Sequence, residues 1–292
     1  MQHLVDTDQF SLAQIQQIMS DAKSFKANKA PMLLRDKVMV TLFFESSTRT
    51  RSSFEIAAKR LGAATVHLDP TKSSTQKGES IEDTFTNLCA MEPDGVIIRH
   101  SANETPQILA DMQITPVINA GAGNYAHPTQ SLLDYFTMLE HFDDTVQGKT
   151  IAIVGDIASS RVASSGIRLF TRMGMRVILV APPQFMPQSD LPQFEKLDDV
   201  LDDVDVIMSL RAQLERHAVP HFEDYDEYAM HYCIDAKRMK DRDILLLHPG
   251  PVMRNIDISD EMLADPRCKV LEQVKNGVYV RMAILKLLLL DT

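Results

Sequence analysis

The sequence has few cysteines, no long apolar run and no excess of basic residues, and each absence excludes a class of protein. The 3 cysteines, Cys89, Cys233 and Cys268, are odd in number and widely spaced, which predicts reduced thiols rather than a disulfide framework or a zinc site. No run approaches the ~20 apolar residues that span a bilayer, and no signal peptide precedes the first amphipathic segment. The net charge of -10 argues against general nucleic-acid binding, although local arginines can still attract a small anion. We therefore expect a cytoplasmic protein that binds neither membranes nor nucleic acid.

What the sequence does contain is typical of a globular α/β protein. Of its 292 residues 45% are hydrophobic and 24% are charged, and this length allows two domains, each with its own core. Short β-branched runs alternate with helical stretches, which predicts parallel sheets flanked by helices. The predicted strands are 38–44, 64–68, 95–99 and 116–120 in the first half, and 150–155, 176–180, 204–210 and 244–247 in the second. We predict two domains, each with a mostly parallel sheet of about four or five strands.

The predicted helices and loops divide the chain near residue 140. We expect a first domain at 1–140, a second at 141–268, and a C-terminal helix at about 269–292 that packs back on the first domain. A long helix at 128–142 would bridge the two domains. The loops at 69–78 and 213–232 are long and polar, which makes them candidates for functional segments.

The most informative stretch is FFESSTRTRSSFE at 43–55, where an apolar strand runs into a turn rich in hydroxyls and arginine. Apolar residues at helical spacing follow, with the helix beginning near Ser52, so the turn lies at a helix N-terminus. Free backbone N–H groups and the helix dipole favour an anion there, especially phosphate. The turn supplies Ser47, Thr48, Arg49 and Thr50 as further donors. A plain Ser/Thr helix cap is the alternative, but the number of donors favours a phosphate site.

Arginines lie at several other predicted strand ends or helix starts, which is where ligands bind in open α/β sheets. Arg99 ends the strand 95–99, Arg161 begins a helix after the strand 150–155, and Arg211 follows the strand 204–210. The turn after 150–155 lacks the Gly-x-Gly-x-x-Gly spacing, so a dinucleotide cofactor is disfavoured. Together these arginines indicate substrates that carry several negative charges.

Three further segments offer polar groups of other kinds. His127 precedes Pro128 at a predicted helix start, where a neutral imidazole can donate to a carbonyl oxygen, although a surface cap is equally consistent with the local sequence. The loop at 71–79 carries Ser73 and Lys77 and suits closure over a phosphate or carboxylate, unless it is simply solvated. The rigid turn at 248–251 offers backbone carbonyls that can accept from an amino group. These candidate residues include no obvious carboxylate base. They therefore favour catalysis by positioning of the substrates and by electrostatic stabilisation.

In this order, these motifs resemble the catalytic chains of the aspartate carbamoyltransferase family over nearly the whole length. The resemblance rests on Ser-Thr-Arg-Thr-Arg-x-Ser-Phe-Glu at 47–55, Lys-Gly-Glu at 77–79, Arg99-His100, His-Pro-Thr-Gln at 127–130, Arg161, Arg211-x-Gln213 and His-Pro-x-Pro at 248–251. The segments 276–278 and 280–282 are also similar to the family. The first motif is shared with ornithine carbamoyltransferases, whereas the combination is more specific.

The resemblance implies a role for each matched residue, with the active site in the cleft between the domains. The first domain would bind carbamoyl phosphate and the second would bind aspartate. The phosphate would be held by Ser47, Thr48, Arg49 and Thr50. The carbamoyl oxygen would contact Thr50, Arg99 and His127, and the carbamoyl amino group would contact Gln130 and the carbonyls of Pro249 and Gly250. The aspartate carboxylates would be bound by Lys77, Arg161, Arg211 and Gln213. Arg49, Thr50, Arg99 and His127 would be the catalytic residues.

The resemblance also implies a homotrimer with shared active sites, in which Ser73 and Lys77 come from a neighbouring subunit. No metal or organic cofactor is expected, and the product would enter de novo pyrimidine biosynthesis. Whether a regulatory or dihydroorotase-like partner is required stays open. The alternatives are a carbamoyltransferase for another amine such as ornithine, and a catalytically silent subunit of a pyrimidine complex. Against ornithine, Pro249 replaces the Cys of the His-Cys-Leu-Pro motif, and Arg211 with Gln213 suits an acidic acceptor.

Overall fold

The computed structural model describes residues 1–28, 31–68, 78–212, 222 and 224–290. It contains two compact units, one formed by Met1–Leu133 with Val274–Thr292 and the other by Asp134–Gln273. Each unit is built on one parallel sheet, of four strands in the first unit and five in the second. The predicted α/β class with parallel sheets is therefore confirmed.

In the first unit the strand order is β2-β1-β3-β4. Its elements are α1 (Leu12–Ala27), β1 (Val38–Phe43), α2 (Thr48–Arg60), β2 (Ala64–Leu68), α3 (Ile81–Cys89), β3 (Gly95–His100), α4 (Thr105–Asp111), β4 (Val117–Ala122) and the start of α5 (Pro128–His141). The inner strands β1 and β3 are almost wholly apolar and buried, since helices cover both faces of a parallel sheet. One cluster of their side chains, which includes Val40, Leu42, Val96 and Ile98, packs around Phe85 of α3.

In the second unit the strand order is β7-β6-β5-β8-β9. Its elements are β5 (Thr150–Val154), α6 (Arg161–Arg172), β6 (Arg176–Val180), β7 (Gln193–Phe194), β8 (Val206–Ser209), α7 (Tyr225–Tyr232), α8 (Ala236–Met239), β9 (Leu245–Leu247) and α9 (Asp260–Leu263). Short 3-10 turns occur at Thr7–Gln9, Pro183–Phe185 and Leu197–Asp199. The last helix, α10 (Val270–Leu290), begins in the second unit and continues in the first.

The two units share one arrangement at the N-terminal edge of their sheets. Asp94 accepts the backbone N–H of Val38 at 2.8 Å and pairs with Lys37 at 2.8 Å, which ties the start of β3 to the start of β1. Asp205 does the same in the second unit, since it accepts the N–H of Thr150 at 2.8 Å and pairs with Lys149 at 2.9 Å. In both units one carboxylate therefore joins two strands that are distant in sequence.

Two predictions about elements were wrong. The helix expected to begin near Ser52 begins at Thr48, because the polar residues of the turn themselves form its first turn. The loop expected at 213–232 contains the helix α7, which Asp224 caps by accepting the N–H of Glu227 at 2.9 Å. No helix in the described part of the chain is long and apolar enough to cross a membrane.

Candidate active site

The N-terminus of α2 directly follows the first buried strand. Ser47 is its N-cap residue but makes no capping bond with its side chain, and Thr48, Arg49 and Thr50 form the first turn. Because the first N–H groups of a helix have no partner within it, they remain donors that point out of the helix end. Thr48 and Arg49 are exposed, whereas Thr50 is buried. Partial desolvation lowers the pKa of Arg49, but a guanidinium keeps its charge at neutral pH. The predicted anion site therefore has the donors expected of it.

Arg99 lies beside this turn because β1 and β3 are paired. The register places Arg99 next to Phe43, and the backbone N–H of Phe44 donates to the Arg99 carbonyl at 2.9 Å. The guanidinium is largely buried, with Nε 3.3 Å from Oε2 of Glu45 and Nη1 3.4 Å from the carbonyl oxygen of Ala120. A buried cation is thus held at the same sheet edge as the N-terminus of α2.

His127 and Gln130 lie at the start of α5, after β4. Both side chains are buried, and the carbonyl of His127 accepts the N–H of Gln130 at 3.0 Å. A tight turn brings the chain to this point, because Ala122 and Ala126 exchange two backbone hydrogen bonds across Gly123, which adopts a φ of 45°. The first unit therefore collects a helix N-terminus, an arginine, an imidazole and an amide at the C-terminal ends of β1, β3 and β4.

Arg281 is a buried residue to which the sequence analysis assigned no role. It projects from α10, and its Nη1 donates to Ser53 of α2 at 3.1 Å while Nη2 donates to Thr129 of α5 at 3.2 Å. Its guanidinium also lies 5.1 Å from the ring centre of Phe54. The side chain therefore links the two helices whose N-termini carry the candidate residues. The available signal was an arginine within the apolar segment 278–285 of this helix.

In the second unit Arg161 and Arg211 lie at the C-terminal ends of adjacent strands. Arg161 is the first residue of α6, which Ser160 caps by accepting the N–H of Ala163 at 3.2 Å. Arg211 follows β8, which pairs with β5, and the N–H of Leu210 donates to the carbonyl of Val154 at 2.8 Å. Both arginines are half-buried. Two cations at one sheet edge can bind a dicarboxylate.

The turn at 248–251 lies at the same edge, because β9 pairs with β8. Pro249 and Gly250 are half-buried, and Gly250 has a φ of 69°, a conformation that favours glycine. The Gly250 N–H donates to Nδ1 of His248 at 2.8 Å, which folds the turn back on its own first side chain. Ser73, Lys77 and Gln213 lie outside the described residues.

Two family models match the chain. The carbamoyl-P binding domain of aspartate/ornithine carbamoyltransferases matches residues 2–140, and the Asp/Orn binding domain matches residues 147–288. The chain belongs to the aspartate/ornithine carbamoyltransferase family. It is thus a member of a family of transferases, as the motifs predicted.

Full-length relatives and solved structures agree with this assignment. The aspartate carbamoyltransferase catalytic subunit of Sulfurovum sp. (strain NBC37-1) is 77% identical over 100% of this chain and 99% of its own length. That of Sulfurimonas denitrificans is 56% identical over 100% of both chains. The catalytic subunit of M. jannaschii aspartate transcarbamoylase superposes with a TM-score of 0.88 at 31% identity, covering 100% of this chain and 99% of that one. The Trypanosoma cruzi enzyme in complex with carbamoyl phosphate also gives 0.88 at 31% identity, covering 97% and 94%.

Proposed function

We propose that this chain is the catalytic chain of an aspartate carbamoyltransferase. It transfers the carbamoyl group of carbamoyl phosphate to the amino group of L-aspartate and releases phosphate and N-carbamoyl-L-aspartate, the committed step of de novo pyrimidine biosynthesis. The observation that carries the proposal is the 77% identity over the full chain with an aspartate carbamoyltransferase catalytic subunit. The enzyme works in the cytoplasm.

The first unit binds carbamoyl phosphate. The N–H groups and side chains of Ser47, Thr48, Arg49 and Thr50 hold the phosphate, since the start of α2 offers a positive dipole end and N–H groups that have no partner within the helix. Arg99, Thr50 and His127 hold the carbamoyl oxygen. These three side chains are largely or wholly buried, so their hydrogen bonds act at low local dielectric. Gln130 contacts the carbamoyl amino group, together with the carbonyls of Pro249 and Gly250.

The second unit binds aspartate. Arg161 and Arg211 pair with its two carboxylates, and Gln213 adds a donor. Lys77 and Ser73 come from a neighbouring subunit of a homotrimer. Because Arg161 and Arg211 follow adjacent strands at one sheet edge, a cationic acceptor such as ornithine would meet repulsion there.

The reaction follows from these placements and uses no metal or organic cofactor. The deprotonated amino group of aspartate attacks the carbamoyl carbon and forms a tetrahedral oxyanion, which Arg99, Thr50 and His127 stabilise. The bond from the carbamoyl carbon to the phosphate oxygen then breaks, and the electron pair leaves with phosphate. A phosphate oxygen takes the proton released by the amine. The protein contributes orientation and charge rather than a covalent step.

The test offers carbamoyl phosphate to the purified chain with either aspartate or ornithine and detects the ureido product by colorimetry. Product from aspartate alone is the expected result and shows that the chain is sufficient. Product from ornithine alone would overturn the proposal in favour of the other acceptor. If neither amine reacts while calorimetry detects carbamoyl phosphate binding, the chain is a silent or partner-dependent subunit.

A further inference from the structure

The second unit contains a buried carboxylate, that of Asp257, to which the proposed function assigns no role. Asp257 is 1% exposed, and its carboxylate accepts three hydrogen bonds. Its Oδ1 accepts the backbone N–H of Ala212 at 3.2 Å, and its Oδ2 accepts the backbone N–H of Met253 at 2.8 Å and Nε2 of His248 at 3.1 Å. A buried charge is stable only when such donors satisfy it. The Asp257 carboxylate is therefore stabilised by all three donors, and it holds in place the two segments that carry them.

The imidazole of His248 extends this arrangement to the turn at 248–251. Because Nδ1 accepts the N–H of Gly250, the ring proton must lie on Nε2, where it points to Asp257. The backbone of His248 is fixed separately, since its N–H donates to Gln273 at 2.9 Å and Gln273 donates to Asp134 at 2.7 Å. The histidine is thus held in one tautomer and one orientation.

These contacts join two of the segments of the second unit that carry candidate substrate contacts. Ala212 directly follows Arg211, and Gly250 is one of the two residues whose carbonyls face the carbamoyl amino group in the proposed function. We propose that Asp257 is a positioning residue that sets Arg211 and the Pro249–Gly250 carbonyls at the same time. This inference rests on the proposed function, because it assigns Asp257 no contact with substrate.

Asp257→Asn tests the positioning role, because it changes the hydrogen bonds of the side chain but not its volume. An amide of the same shape has one acceptor oxygen and one N–H₂ group. Whichever way it turns, the N–H₂ group faces either the Ala212 N–H or the Met253 and His248 donors. One of the two segments must therefore lose its anchor. We expect the KM for aspartate to rise and kcat to fall, each by roughly tenfold or more, because a buried donor is left unpaired.

The binding of inorganic phosphate provides an internal comparison. In the proposed function all its contacts lie in the first unit, so calorimetry of Asp257→Asn with inorganic phosphate should give a Kd within about threefold of the wild-type value. Asp205→Asn is the matched control, because Asp205 also joins two strands of the same sheet, at the opposite edge. It should lower the unfolding midpoint while both kinetic constants stay within about twofold of wild type. An unchanged aspartate KM and kcat in Asp257→Asn would overturn the inference.

His248→Asn tests the same inference if Asp257→Asn fails to fold. The asparagine oxygen can still accept the Gly250 N–H, but the shorter side chain cannot reach Asp257. The hydrogen bond from the Ala212 N–H to Asp257 remains. We expect kcat to fall with little change in the aspartate KM. An equal change in both constants would contradict the division of roles.

Amide hydrogen exchange gives a readout that does not need turnover. In Asp257→Asn, peptides that contain Ala212 and Gly250 should both exchange faster than in the wild type, whereas in Asp205→Asn only peptides at the starts of β5 and β8 should do so. Unchanged exchange at both positions would refute the positioning role of Asp257. A wild-type chain that fails to make carbamoyl aspartate would instead count against the proposed function.

Discussion

The Nε atom of Arg99 lies 3.3 Å from Oε2 of Glu45, so a carboxylate contacts the arginine that we assign to the carbamoyl oxygen. Both side chains are partly shielded from solvent, at 14% and 28% exposure. The pair orients the guanidinium, but it also offsets part of the positive charge that would attract the substrate in the proposed function. Glu45 therefore fixes the orientation of the Arg99 guanidinium while it reduces the net positive charge there.

Glu45→Gln is expected to tighten the binding of inorganic phosphate and to slow turnover. Removal of the negative charge should lower the phosphate Kd by up to about fivefold, which corresponds to a partly exposed ion pair. Turnover should fall because Arg99 loses a fixed orientation. Calorimetry and initial rates measure the two effects, and weaker phosphate binding would mean that orientation outweighs charge.

Arg49→Ala is expected to reduce kcat by roughly 10²–10³-fold, because the side chain stabilises the charge that develops on the leaving phosphate. Stability should change little, since Arg49 is exposed at the start of α2. Steady-state kinetics and thermal unfolding measure these two quantities. Arg35→Ala, which removes another exposed arginine of the first unit, is the control. Near-normal turnover in Arg49→Ala would contradict the phosphate assignment.

Arg281→Met is expected to lower both stability and carbamoyl phosphate affinity. The substitution keeps much of the volume but leaves the hydroxyls of Ser53 and Thr129 without their donor, at a cost of about 1–3 kcal/mol. Lys286→Met is the control, because Lys286 lies on the same helix but pairs with Asp21 of α1. In both variants, urea unfolding measures the stability and calorimetry measures the affinity for carbamoyl phosphate. Equal losses of affinity would show that α10 acts only through general stability.

The stability of the protein should fall at acid pH partly through His3. Burial lowers the pKa of His3, whose Nδ1 accepts the N–H of Val117 at 3.1 Å. Because the pKa of His3 is lower in the folded state, its contribution to stability is complete above about pH 6.5. That contribution is lost as the pH falls through the folded-state pKa. His3→Asn keeps an acceptor but cannot titrate, so its urea midpoint should fall less than that of wild type between pH 7.5 and 5. Parallel curves for the two proteins would refute this contribution.

Cys89 and Cys233 should resist alkylation in the native protein. Burial raises the pKa of Cys89 to about 11 and that of Cys233 to about 11, so little thiolate exists at pH 8. Mass spectrometry after iodoacetamide treatment should find both unmodified until denaturant is added. Equal labelling of native and unfolded protein would contradict this expectation.

The fold could be predicted from sequence because buried parallel strands leave a strong local pattern. The strands at 64–68 and 176–180 have the predicted bounds, since β-branched runs end there at turn residues. The strand β7 was not predicted because Gln193–Phe194 is too short to show a period. The start of α2 was placed too late because its first turn consists of residues that are also typical of turns.

The candidate residues at strand ends could also be found in the sequence, because they follow apolar runs directly. Their roles were taken from the family resemblance and stay predictions. Asp257 and Arg281 could not be found in this way. Asp257 accepts a hydrogen bond from Ala212, which is distant in sequence, and Arg281 donates to two helices that only the fold brings together.

Asp94 and Asp205, at the N-terminal edge of each sheet, fix the strand register that is seen at the opposite edge. A slip of one residue between strands would turn every side chain to the other face, and it would also break the bond from Asp94 to the Val38 N–H. The alignment of Phe43 with Arg99 is therefore set where β1 and β3 begin, not where they end. The crossover between β1 and β3 can then change in length without shifting Arg99 relative to the start of α2. The C-terminal edge of the sheet can therefore accept new loops, because the alignment of its strands is fixed at the N-terminal edge.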